Sequence, residues 1–262
     1  ARGACAVSSK VDYAAEAGAV GVLIGLVAPG DAVSFSYGGG DTFVPSLVIQ
    51  QSLSSAIKAR LAAGDVVNVS ISNASAISLE GSMASSSSRG PAYSTQHIKP
   101  EIGAPGASVS AEAGTGSGQT AFGGTSGAAP MVAGAAALLI ESHPKRSPEQ
   151  IKAMLMNSAE TVVYTNPALL PGQLAPITRI GAGELRVDRA IGLNAVAWNR
   201  KSKSAALSFG AVEVAKKTTF EQTLRVQNLS DVDKSFTITP SFRYADDQAN
   251  GAVSVKAPAK VR

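Results

Sequence analysis

FGGTSGAAPMVAGAAALLI, residues 122–140, is the run on which the rest of the chain is organised. It places Ser126 directly behind Gly123, Gly124 and Thr125 and directly ahead of an almost purely small and apolar segment. The two glycines let the chain turn where a Cβ would clash, so the hydroxyl of Ser126 projects from the turn instead of packing into it. The segment after the serine reads as a helix. Its first four N–H groups lack partners within the helix and point back toward Ser126, and the helix dipole favours negative charge there. An oxyanion formed by attack of Ser126 on a carbonyl is stabilised at that end. Pro130 is expected in the first turn, where a missing N–H costs nothing. Residues 132–140 show no polar face, the pattern of a helix covered by protein on all sides. Gly-Thr-Ser ahead of an Ala-rich helix is also an ordinary N-cap, because Thr and Ser are preferred there. The pattern alone leaves both readings open.

At 262 residues, the chain is long enough for one large or two to three small domains. With 45% hydrophobic residues, 26 glycines and 5% aromatics, it reads as a folded chain with tight turns and close backbone packing. The net charge of +4 is unevenly spread. Residues 1–75 carry four Lys/Arg against five Asp/Glu, 76–195 eight against eight, and 196–262 eleven against six. In that last segment aromatics such as Trp198 and Phe209 are too sparse to stack bases, which argues against nucleic-acid binding. Cys5 is the only cysteine, so an internal disulfide and a thiolate metal cluster are both excluded. No uninterrupted apolar run approaches the roughly 20 residues that span a bilayer. The chain starts at Ala1 without Met or a signal-like segment, and it reads as part of something longer.

Residues 1–75 alternate strand and helix patterns: a helix over 11–18, a strand within 19–26, a strand over 45–49, a helix over 52–63 stopped by Gly64, and a strand over 66–71. Residues 85–91 (SSSSRGP) and 99–106 (KPEIGAPG) are turn clusters. Ser147 with Pro148, Glu149 and Gln150 spells a capping box, and the helix it opens carries Ile151, Met154, Leu155 and Ser158 on one face. Residues 162–179 hold Pro167, Pro171 and Pro176 and read as an exposed loop, after which Gly181-Ala182-Gly183 leads into a short helix ending near Ala190. From 205 onward the pattern has period two, with Thr223, Arg225 and Gln227 opposed to Phe220, Leu224 and Val226, as in a β-sandwich.

GGTSGAAPMVAG closely resembles the nucleophile motif of the subtilisin-like serine proteases. Gly124, Thr125, Ser126, Ala128, Ala129, Pro130, Val132, Ala133 and Gly134 match that pattern; Gly127 stands where Met is commonest and Met131 where His is usual. The Ser-Arg-Gly-Pro and Lys-Pro-Glu-Ile turns resemble two landmarks that precede the motif in the same order, and the 181–183 turn resembles the one closing the catalytic domain. An α/β-hydrolase elbow requires Gly two residues after its serine, where this chain has Ala128. Arg2, Gly3, Cys5, Lys10, Val11, AEAGAVGVLI (15–24) and VPSLVI (44–49) are similar to the protease-associated domain inserted in some members of the family. Residues 196–262 are similar to a following fibronectin-type module. The resemblance thus implies an α/β chain in three parts: a partial protease-associated domain (1–75), the C-terminal part of a subtilisin-like parallel-sheet catalytic domain (76–195) and a partial β-sandwich (196–262).

It further implies a secreted or cell-envelope peptidase that cuts peptide bonds through an acyl-enzyme on Ser126, with Gly124, Thr125 and Phe122 contacting the substrate. Such a serine needs a base and a group that orients the base. His143 lies seventeen residues further on, about 25 Å along one helix, too far to serve. His97 matches no catalytic position of the family. The family order places Asp and His before Ser. Both, with the oxyanion Asn, are therefore expected upstream in the missing N-terminal part of the same domain, and the chain alone is expected to be inactive. No cofactor or metal is expected from these residues, and calcium enters only through the resemblance. The other reading is a non-catalytic interaction protein built around an inactive protease half.

Overall fold

Every side chain along helix α3 (Thr125–Ser142) up to Ile140 is small or apolar apart from those of Thr125 and Ser126 at its start, so its neighbours and not its sequence decide which face is covered. Ala135 and Leu139 are buried, with Val132 and Ala136 beside them. They pack on Ile151, Ala153, Met154 and Leu155 of helix α4 (Pro148–Asn157), on Ala190 of helix α6 (Val187–Ile191), and on Val196 and Trp198 of strand β7 (Ala195–Asn199). This is the main core. Ala133, Gly134 and Ala137, opposite that face, are exposed, and Leu138 at 50% and Ile140 at 54% exposure lie on the two flanks. The expectation of a helix covered all round is thus corrected: α3 is covered on one side by the described residues.

In this computed structural model the described residues are 7–30, 32, 44–70, 72 and 78–262. Arg2, Gly3 and Cys5 lie outside them. The N-terminal part is built from helix α1 (Val7–Glu16), strand β1 (Val22–Gly25), strand β2 (Ser46–Ile49) and helix α2 (Gln51–Ala62), with β1 and β2 parallel. Ser54 of α2 lies so close to Gly25 that a Cβ there would meet its hydroxyl at 2.1 Å, and this contact sets α2 against β1. Arg60 pairs with Asp65 just beyond the helix end, at 2.5 Å. The expected strand over 66–71 does not form at 66–70, which pairs with neither edge of the two-stranded β1–β2 sheet; Ile71 lies outside the described residues.

Next come strands β3 (Ala107–Ala111) and β4 (Gln119–Gly123), an antiparallel hairpin that leads straight into α3. Ser147 then caps α4 as the sequence requires, accepting from the Gln150 N–H while Gln150 Oε1 accepts from the Ser147 N–H. Strands β5 (Tyr164–Asn166) and β6 (Leu170–Leu174) form a second hairpin where an exposed loop was expected. Pro167 falls in its turn, and Asn166 Oδ1 accepts from the N–H groups of Ala168 and Leu169, so the breaker residues tighten a hairpin instead of preventing one. Helix α5 (Ile177–Ile180) comes after it, and its Arg179 is buried and donates to the Ala84 carbonyl. Between 78 and 195 the extended ladders are antiparallel hairpins, and the parallel pairing expected there is limited, among the described residues, to the isolated bridges Ser82–Tyr164 and Gly103–Glu184.

The C-terminal part pairs β7 with strand β8 (Leu224–Asn228) and strand β9 (Phe236–Thr237) with strand β10 (Lys260–Val261), both pairs antiparallel. Arg225 stacks over the Trp198 ring at 5.4 Å. Helix α7 (Ala245–Asn250) interrupts the period-two pattern. The segment just before it reaches back: Arg243 donates to the carbonyls of Ala175, Thr161 and Val163, and the Tyr244 hydroxyl to that of Leu174.

Glu101 ties these parts together. It accepts from Lys99 at 2.7 Å, from Lys152 of α4 at 2.6 Å and from the Ser204 hydroxyl at 3.4 Å. Partial burial opposes its ionisation, but the hydrogen bonds and charges of Lys152 and Lys99 outweigh that and hold its carboxyl below the ordinary range. A carboxyl lowered on folding stabilises the fold above its ordinary pKa of 4.5, and the contribution is lost as pH falls through the folded value. Denaturant melts of Glu101→Gln should therefore show a loss of about 1 kcal/mol at pH 7, modest because both lysines are half in water. The gap from the parent should shrink below the ordinary carboxyl pKa and close at lower pH.

Candidate active site at the start of helix α3

The turn between β4 and α3 is made by one unusual residue. Gly124 is the N-cap with φ 79° and ψ −166°, a region that residues with a Cβ avoid. A Cβ there would meet nothing within 4 Å, so the demand for glycine comes from the backbone angle and not from crowding. Thr125 and Ser126 are the first two residues of the helix and both are exposed. No side chain caps this end. The Gly127 and Ala128 N–H groups bond the Gly124 carbonyl, which leaves the N–H groups of Thr125 and Ser126 as the open donors of the first turn. The Ser126 hydroxyl thus stands beside open N–H groups at the positive end of an 18-residue helix, where negative charge is favoured.

Pro130 lies inside α3, as its sixth residue, and not in the first turn as expected. The helix starts earlier than the apolar run does. The missing proline N–H is the one that would have reached the Ser126 carbonyl four residues back, so the ladder is interrupted directly behind the serine. Phe122, on the strand before the turn, is 39% exposed. Phe122 at the end of β4, Gly124 in the turn, and Thr125 and Ser126 at the start of α3 are all exposed.

The histidines are elsewhere. His143 caps the far end of α3, and its Nε2 lies 2.9 Å from the Ile191 carbonyl. His97 is exposed in a turn, where its carbonyl accepts from the Ala92 N–H. Among the described residues no hydrogen bond joins either ring to Ser126, and no group of three or more His, Cys, Asp or Glu is placed to hold a metal ion. Concavities of about 580 Å³ along β8 and about 380 Å³ beside Glu80 and Val162 are both lined by other residues.

The landmark turns converge on this site through the main chain. The Gly90 N–H bonds the Thr178 carbonyl, the Ala182 N–H bonds that of Glu101, and Gly103 exchanges with Gly183 and Leu185. Gly181, at φ 60°, passes so near Glu101 that a Cβ would lie 2.3 Å from its carbonyl carbon. Gly106 comes next: its own Cβ would lie 3.2 Å from the Gly124 carbonyl. Sequence reading missed Ser108, whose hydroxyl donates to the Phe122 carbonyl at 2.7 Å. The available signal was the unusual Gly127.

The Subtilase family pattern (Peptidase S8) matches residues 60–193, just over half the chain. The chain belongs to the subtilase family. It is 30% identical over 267 aligned positions to the minor extracellular protease Vpr of Bacillus subtilis (strain 168), covering 98% of this chain and 31% of that protein. It is 41% identical over 115 residues to the subtilisin-like protease SBT1.9 of Arabidopsis thaliana, covering 35% of this chain and 16% of that one. A third relative, SBT3.5 of the same plant, is 42% identical over 83 residues, 29% of this chain and 11% of its own length. The chain thus spans less than a third of the length of these relatives.

In thermal melts of the chain, Gly124→Ala should lose about 1–3 kcal/mol, since alanine must be held in a region it disfavours while gaining no contact.

Proposed function

We propose that this subtilase chain is the serine-bearing part of an endopeptidase of the subtilisin type. Ser126 is its nucleophile. The Ser126 N–H is one oxyanion donor, Gly124 and Thr125 contact the substrate backbone, and Phe122 walls the leaving-group side. The observation that carries this reading is the exposed hydroxyl at the N-terminus of α3, presented by a glycine in a conformation open to few other residues. Attack forms a bond from Oγ to the substrate carbonyl carbon, and the hydroxyl proton passes to a histidine base. That histidine, its aspartate and the oxyanion asparagine come from polypeptide N-terminal to Ala1. The uncovered surface of α3, flanked by Leu138 and Ile140, is available to that polypeptide.

On this reading residues 1–75 are a partial protease-associated insert, 76–195 the C-terminal part of the catalytic domain, and 196–262 part of a fibronectin-type sandwich. The extracellular role in the name of the Bacillus relative supports a secreted or cell-envelope protein that acts on peptide substrates. Among the described residues, no helix is long and apolar enough to cross a membrane.

In the longer protein that includes the upstream region, a fluorophosphonate should label Ser126, and Ser126→Ala should remove the label. Peptide hydrolysis should fall roughly a million-fold, the loss known for the equivalent change in subtilisin, the type case. The 262-residue chain alone should stay unlabelled. Label that persists in Ser126→Ala, or longer protein that never labels, returns the chain to the alternative of a non-catalytic interaction protein.

A further inference from the structure

Ser108 lies on β3 directly across from Phe122 on β4. Its hydroxyl donates to the Phe122 carbonyl, and only Gly123, Gly124 and Thr125 separate Phe122 from Ser126. The same hydroxyl reaches under the helix start. A Cβ on Gly127 would lie 2.9 Å from Ser108 Oγ and 3.2 Å from the carbonyls of Gly106 and Phe122. Gly127 is buried although Ser126, one residue before it, is exposed. The space that a side chain at 127 would fill is thus already taken by a hydroxyl from the neighbouring strand.

Resting on the reading of Ser126 as nucleophile, we propose that Ser108 is a positioning residue for it. Two glycines in succession give the β4–α3 link more freedom than any other residues would, and a nucleophile on such a link needs an outside support. Ser108 supplies it at two points, the carbonyl that enters the link and the glycine that leaves it. Ser108 touches no substrate; it acts by fixing where Oγ of Ser126 stands. Without the hydroxyl, the Phe122 carbonyl loses its side-chain donor and keeps only what the β3–β4 ladder gives it, and a void opens beneath Gly127. A displacement of about 1 Å at a reacting atom is enough to cost about a hundred-fold in rate.

The test uses the longer, labelling-competent protein, with the fluorophosphonate labelling rate and kcat and KM on a peptide as readouts. Ser108→Ala should label about ten- to a hundred-fold more slowly, with kcat falling in step and KM within about two-fold. Ser108→Thr, which keeps the hydroxyl, should recover most of the rate. Gly127→Ala should also be slow. In the double variant Ser108→Ala with Gly127→Ala, the new methyl enters the vacated space, so its rate should exceed the product of the two single effects. If Ser108→Ala does not fold, the pair Ser108→Thr and Ser108→Val, alike in shape and both suited to a strand, isolates the hydroxyl. Parent-like labelling of Ser108→Ala, equal rates for the Thr and Val variants, or single effects that simply multiply would overturn the proposal. Parent protein that never labels overturns instead the reading of Ser126, and the role of Ser108 falls with it.

Discussion

Main chain passing against main chain is the constraint on which the serine turn depends. Glu101 lies against Gly181, Lys99 against Gly90 and Gly106 against Gly124, each at a separation that leaves little or no room for a Cβ. Beside these approaches run main-chain bonds from 90 to 178, from 182 to 101, and between 103 and both 183 and 185; Gly106 and Gly124 meet by contact alone among the bonds of the described residues. The glycine-rich turns in the sequence are therefore one physical object, a stack of backbones whose last layer is the turn that presents Ser126. A side chain added at Gly181 would push on Glu101 and, through residues 103–106, on the helix start.

Charge takes the same path. Glu101 sits where the stack meets α4, with Lys99 and Lys152 on it and Ser204 from the C-terminal part close by. Its carbonyl serves the stack and its carboxylate serves the helices. The positive end of α3, in contrast, is left without a capping side chain. An acidic or hydroxyl cap would satisfy the open N–H groups and so compete with any anion formed at Ser126. The missing cap is what the proposed chemistry requires.

Much of this was legible in the residues. The capping box at Ser147, the stop of α2 at Gly64 and the placement of Ser126 at a helix start are local signals, and local physics sets them. The covered face of α3 was not legible, because a helix with no polar side beyond its first turn gives no sign of which neighbours it has. The hairpin of residues 164–174 was hidden behind Pro167 and Pro171, which signal a break in pairing but not that the chain turns back on itself. The strand expected at 66–70 has the right alternation but is not docked on either edge of the β1–β2 sheet, and pairing is a property of two segments. Ser108 could not be found from its own neighbourhood either. Its meaning comes from Gly127, nineteen positions away.

Arg243 gives the boundary between the family domain and the C-terminal segment a different character from the one its composition suggests. Its guanidinium closes over the carbonyls of residues 161, 163 and 175, all far back in the chain. A gene cut at the compositional seam near residue 196 would encode a protein with those three acceptors stripped of their cation. The folded unit therefore runs past that seam through Tyr244, whose hydroxyl donates to the Leu174 carbonyl.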